Sequence, residues 1–262
     1  MNGWRWLYAR LWAILPPLVN RYLRKRARQQ PEYLEHWDER WARQPAQTDD
    51  PRGVIWVHAV SVGETRAAQP LVAALRARWP DRPLLVTQMT PTGRETALSL
   101  YGGQATVRYL PYDAPDAVAR FLARYQPVLG VLMETELWPN LIAACAQRGV
   151  PLFLANARLS ERSARGYRRI GGLIRPALAS LAGVAAQSED DATRLRALGA
   201  RQVAVCGNLK FDITPPPQAA ALAAQLRQWR GARPLWMAAS TREGEEALLL
   251  DALPADSPAV LL

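Results

Sequence analysis

Lysine is nearly missing from this sequence: Lys25 and Lys210 are the only two among 33 basic residues. Against 23 acidic residues the net charge is +10, carried almost wholly by arginine. Abundant alanine beside that arginine points to a compositional bias of the source genome. The charge itself points to an anionic partner, which leaves nucleic acid, an anionic membrane surface or a phosphorylated substrate. Cysteine is as scarce. Cys145 and Cys206 lie far apart in apolar runs, form no CxxC or metal spacing, and fit small core residues in a reduced, cytoplasmic compartment. Long apolar runs are also lacking. The uncharged stretch 11–20 is half of the roughly 20 residues a membrane-spanning helix needs. No GxGxxG follows the first strand-like run and no GxxxxGK[ST] occurs anywhere, so dinucleotide and P-loop readings lose their support. No DxD or histidine-rich cluster offers a metal site. The charge over 54–213 is not interleaved with aromatics as in a known nucleic-acid reader, which argues against that partner.

What is present is organised around residues 54–75, VIWVHAVSVGETRAAQPLVAAL. Val54–His58 suit a strand covered on both faces. Ser61 and Gly63 sit in a small-residue turn, and Leu71, Val72 and Leu75 repeat at helical spacing. Glu64 therefore stands where the strand has ended and the helix begins, the edge at which open α/β sheets bind ligands. A carboxylate there can serve as general base. The alternative is a first-turn glutamate that complements the helix dipole.

Ahead of that stretch, Trp4, Leu7, Tyr8, Leu11, Trp12 and Leu15 share one helical face, Pro16-Pro17 interrupts, and RYLRKRAR follows. An aromatic amphipathic helix beside a basic cluster fits the plane of an anionic bilayer; packing on the protein's own core is the alternative. No small-residue cleavage site follows, so a secretory signal is excluded. Residues 1–50 are thus expected to be a membrane-associated helical segment and linker. From 51 to 213, seven strand patterns (54–58, 84–89, 106–110, 128–133, 151–155, 183–187 and 203–206) alternate with helical ones, implying a largely parallel sheet. Pro215–Pro217 form a stiff connector. Residues 218–262 begin a second α/β domain that about 45 residues cannot close, so the chain is expected to be incomplete.

The polar residues at the strand ends project toward one edge of the sheet. Thr90, Thr92, Gly93 and Arg94 belong to TPTGRE, where Thr90 or Thr92 can cap a helix with Pro91 in its first turn, Thr92 with Glu95 matches a capping box, and the helix start, helped by Arg94, could hold a phosphate. Glu134 and Glu136 follow a very apolar strand and would share a face if it continued. Asp113, Asn156, Arg158 and QSEDD at 187–191 complete the edge, with Ser188 or Asp190 suited to a cap. His58 fits packing at its strand end better than a triad or metal site. Lys210, in a chain that otherwise uses arginine, suggests a position needing a compact ammonium.

HAVSVGET, TPTGRE, YLPYDAPDA, METELWPN, NARLSERSARGY, GNLKFDI and ASTREGEE, in that order, resemble the 3-deoxy-D-manno-octulosonic acid (Kdo) transferases of lipopolysaccharide assembly. The resemblance implies a GT-B fold of two Rossmann-like domains without a catalytic metal or cofactor. The first domain would bind the lipid A precursor and the second, only begun here, would bind CMP-Kdo. Kdo would pass to an acceptor hydroxyl with inversion, at the cytoplasmic face of the inner membrane. By motif, Glu64 corresponds to the proton acceptor, and Glu134 and Lys210 to transition-state stabilisers. Ser61, Gly63, Thr90, Thr92, Gly93, Arg94, Asn156 and Arg158 are the accompanying substrate-binding candidates. The rival expectation is an inactive, membrane-associated binding module.

Overall fold

The computed structural model describes residues 3–44, 52–214, 217–253 and 260–261. It divides into two compact units, 1–213 and 214–262. The first unit starts with helices α1 (Gly3–Leu11), α2 (Pro16–Arg26) and α3 (Trp37–Arg40). Seven strands follow: β1 (Ile55–His58), β2 (Leu84–Gln88), β3 (Thr106–Tyr109), β4 (Leu129–Met133), β5 (Leu152–Ala157), β6 (Gly183–Ala186) and β7 (Val203–Val205). All pair in parallel in the order β3-β2-β1-β4-β5-β6-β7.

The connecting helices split by direction of travel along the sheet. After β1 come α4 (Val62–Ala67) and α5 (Gln69–Arg78), and after β2 comes α6 (Pro91–Tyr101). Val72, Leu75, Ala97 and Tyr101 of these helices pack with Ile55, Val57 and Val86. The later connections are α7 (Pro115–Tyr125), α8 (Pro139–Gln147), α9 (Glu161–Arg169), α10 (Gly171–Ala179) and α11 (Glu189–Ala197). Phe121, Leu141, Ile142, Ile174 and Ala192 from this group pack with Trp56, Leu132 and Leu154. Alternate residues of β1, β2, β4 and β5 therefore feed opposite layers, as in a doubly wound sheet.

Trp56 anchors the second layer. It is fully buried, its indole N–H donates to Thr87 Oγ1 at 2.8 Å, and its ring meets Phe121 edge-on. Gly130, beside it on β4, is required for this: a Cβ there would lie 2.8 Å from the indole and 2.5 Å from Leu152. Removing so large a buried side chain costs about 3–5 kcal/mol.

The connections after β1 and β5 are each a pair of helices and not one. The first breaks at Ala68 ahead of Pro70, the second at Ile170 ahead of Gly171-Gly172. The N-terminal helices belong to the first unit. Trp12 stacks on Tyr112 with ring centroids 6.1 Å apart, and Tyr8 hydrogen-bonds Asp113. The aromatic stripe of α1 is thereby divided: Tyr8 and Trp12 face the domain, whereas Trp4, Leu7 and Leu11 are about half exposed. In the second unit, α12 (Pro217–Arg230) and α13 (Glu245–Ala252) accompany a parallel pair, β8 (Leu235–Trp236) and β9 (Val260–Leu261).

Candidate functional site

Strand order reverses beside β1, whose neighbours are β2 on one side and β4 on the other. The crevice at the carboxyl ends of such strands is where doubly wound sheets take ligands. Glu64 lies there, at the third position of α4 and nearly buried. Ser61 caps the helix. Its Oγ accepts from the Glu64 amide at 3.4 Å and donates to Glu64 Oε1 at 2.9 Å, while the Val60 N–H donates to Oε2 at 2.8 Å. This is a capping box in which the glutamate reaches back one residue further than usual. Burial nonetheless raises the Glu64 pKa above its ordinary value, opposed by these hydrogen bonds and assisted by the Glu134 charge. A Cβ at Gly63 would meet only Ser61 Oγ, at 3.9 Å.

Glu134 and Glu136 come from the end of β4. They do not share a strand face, because the strand stops at Met133 and Glu134 turns into the left-handed region at φ 55°. Its amide still donates to Ala155 O at 2.8 Å. Asn156 on β5 has the same handedness at φ 54°, and Met133 pairs with Ala155, so the two turned residues follow directly on paired positions. The register of β5 against β6 also shifts here. A non-glycine residue held this way costs on the order of 1 kcal/mol or more, and such positions gather at functional edges. Glu136 accepts from the Trp138 indole at 3.0 Å. Burial, then the charges of Glu64 and Glu134, push its pKa up to about 7. Three carboxylates, Glu64 in the first turn of α4 and Glu134 and Glu136 after β4, thus share one electrostatic neighbourhood.

His58 is packed beneath this edge. Its Nδ1 lies 2.9 Å from Thr87 Oγ1 and 3.1 Å from Thr87 O, and its ring meets Trp138 edge-on. Burial lowers its pKa to about 3, which keeps the ring neutral.

Of the two caps TPTGRE offers, the structure takes the first and not the Thr92–Glu95 capping box. Thr90, not Thr92, is the cap, accepting from the Gly93 amide at 3.1 Å with Pro91 in the first turn. The helix starts early because Pro91 supplies its first position, so Thr92 is already helical and its carbonyl accepts from Thr96. Gly93 permits close packing, since a Cβ would sit 2.6 Å from Gln88 Oε1 and 3.1 Å from Val60 O. Arg94 is ion-paired with the buried Glu39 of α3 and lies over the Tyr109 ring. Glu39 also accepts from the Tyr109 amide at 2.8 Å.

Other carboxylates at this edge are caps. Asp113 is buried and accepts from the Asn140 and Leu141 amides at 2.9 and 2.8 Å, closing the start of α8. Burial raises its pKa to about 7 against those bonds. Ser188 caps α11 through the Asp191 amide, and Asp191 accepts from Leu159 N at 2.8 Å. Glu39 and these long-range partners were invisible in sequence, because the residues are up to 70 positions apart. Arg158 accepts at its carbonyl from the Thr135 hydroxyl.

Lys210 is exposed on a single 3-10 turn, Leu209–Asp212, that packs against α4 and α5. Asn156 Oδ1 accepts from Leu209 N at 3.1 Å, and Asn208 Oδ1 accepts from Lys210 N at 3.0 Å. The turn bearing Lys210 therefore rests on the helix bearing Glu64.

A parallel sheet with carboxylates gathered at its switch point defines a Rossmann-like, ligand-binding α/β enzyme domain. The profile of the family described as 3-Deoxy-D-manno-octulosonic-acid transferase (kdotransferase) matches residues 35–213. The chain belongs to this glycosyltransferase family. It is 48% identical over 224 residues to the 3-deoxy-D-manno-octulosonic acid transferase of Bordetella pertussis, covering 82% of this chain and 50% of that protein. The Haemophilus influenzae transferase is 36% identical over 265 residues, covering 99% of this chain and 62% of that protein. The chain thus spans about half to three-fifths of the length of these relatives. The UDP-GlcNAc 2-epimerase structure from Neisseria meningitidis aligns with a TM-score of 0.47 at 14% identity, over 70% of this chain and 56% of that one.

Proposed function

We propose that the protein transfers Kdo from CMP-Kdo to a hydroxyl of the lipid A precursor, as a GT-B enzyme that inverts the anomeric centre without a catalytic metal. The observation that carries this reading is Glu64, a buried carboxylate fixed at the switch point with its pKa raised by desolvation. As general base it takes the acceptor proton while the hydroxyl attacks the anomeric carbon, and the bond to the CMP phosphate breaks. Glu134 stabilises oxocarbenium-like charge on the departing sugar. Lys210 stabilises the Kdo carboxylate or the leaving phosphate. Ser61, Gly63, Thr90 and Asn156 border the acceptor side, and the donor is held by the second Rossmann-like domain.

The membrane supplies the acceptor. Trp4, Leu7, Leu11, Ile14 and Leu18 recur at three- and four-residue intervals and are all exposed, with Arg21, Arg24, Lys25 and Arg28 exposed beside them in sequence. No described helix is long and apolar enough to cross a membrane, so the contact proposed is with the cytoplasmic surface of the inner membrane, in its plane.

Glu64→Gln in the complete transferase tests the reading. The amide cannot accept the proton, so kcat is expected to fall by a factor on the order of 100 or more while acceptor binding persists. An active glutamine variant refutes Glu64 as the base.

A further inference from the structure

The main chain of Asn156, near the end of β5, is linked to Lys210 through the side-chain amides of Gln187 and Asn208. The Gln187 Nε2 donates to the Asn156 carbonyl at 2.9 Å. Gln187 Oε1 accepts from Asn208 Nδ2 at 3.2 Å. Asn208 Oδ1 then accepts from the Lys210 amide. Asn156 closes the circuit from the other side, its Oδ1 taking the Leu209 amide. Each amide group is oriented by a partner, so none can flip without losing a bond. Asn156 is nearly buried, sits at a positive φ and a register shift, and is thereby held in one place. Leu209 is pinned separately by packing on the apolar layer of α5 and α6.

We infer that Asn156, Gln187 and Asn208 are positioning residues that set where the Lys210 ammonium stands relative to Glu64. This rests on the proposed role of Lys210. A four-residue 3-10 turn makes few bonds of its own. Two of its amides, at Leu209 and Lys210, are satisfied by these side chains. Remove them and the turn loses its fixed height above α4, and an ammonium on a flexible four-carbon stem can no longer be aimed.

The test is a double-mutant cycle in the complete transferase. Asn208→Ala is expected to lower kcat between about tenfold and a hundredfold, because misplacement by an ångström costs that much, with KM little changed. Asn208→Asp, which keeps the acceptor for the Lys210 amide, retains more. In a Lys210→Ala background Asn208→Ala should change kcat less than about twofold, since the ammonium it aims is gone. Independently of turnover, hydrogen exchange across 207–212 should accelerate in Asn208→Ala and Asn156→Ala, with circular dichroism unchanged. Equal losses in both backgrounds, or full activity of Asn208→Ala, overturn the inference. Full activity of Lys210→Ala instead removes the role of Lys210, and the inference falls with it for that separate reason.

Discussion

The Ser61 hydroxyl donates to Glu64 Oε1 at 2.9 Å and so joins helix capping to the proposed base. A first-turn glutamate that stabilises its helix and a carboxylate that takes a proton are here the same group. The cap fixes the rotamer, and burial raises the pKa.

The Ser61 bond lowers the Glu64 pKa, so Ser61→Ala should raise it. A base works ionised, and kcat is lost as pH falls through that pKa. The acid limb of the kcat profile is expected to move to higher pH in Ser61→Ala, with a stability loss of about 1 kcal/mol from the missing cap. An acid limb that stays in place or moves to lower pH contradicts the coupling.

Glu136 binds its proton more tightly folded than unfolded, its pKa rising from 4.5 to about 7. Such a group weakens the fold as pH climbs from the unfolded value through the folded one, and the cost is complete above it. Glu136→Gln removes that charge and should stabilise the protein at pH 8 by on the order of 1 kcal/mol. Near pH 4 the advantage should vanish. Urea midpoints at the two pH values decide this, and a variant less stable at pH 8 refutes it.

Asp113 joins three elements: the β3–α7 loop, the start of α8 and, through Tyr8, the N-terminal helix. Asp113→Ala strands two amides and should cost about 2–4 kcal/mol. Asp113→Asn keeps one acceptor and should cost less. Chemical denaturation measures both, and near-equal stability of the alanine variant removes the staple.

Deleting the N-terminal segment would also remove Tyr8 and Trp12, which pack on the domain. Membrane contact is better tested by changing Leu7, Leu11 and Ile14, all exposed on the proposed face, together to serine. Sedimentation with anionic vesicles should show weaker binding in this variant. Binding by the unmodified chain should fall as salt rises, since exposed basic residues are screened within a Debye length of about 10 Å at 0.1 M. Undiminished binding by the triple variant places the contact elsewhere.

The sequence by itself determined the strands and most helix starts. Apolar β-branched runs must be covered, and Pro91, Pro115 and Pro139 fit first turns. It also placed Glu64, because a strand, a small-residue turn and a helix follow one another within ten residues. Only the tertiary structure decided which polar residues meet. Glu39 holds Arg94, and Asp113 caps α8, across separations no local pattern encodes. Glu134 and Asn156 turn left-handed where the pairing of β4 with β5 ends. The turn of Lys210 rests on α4 because Asn156 and Asn208 accept its amides and Leu209 packs on the apolar layer beneath. Propensity and periodicity act over a few residues, whereas a buried charge or amide must be satisfied by whatever the fold brings near it.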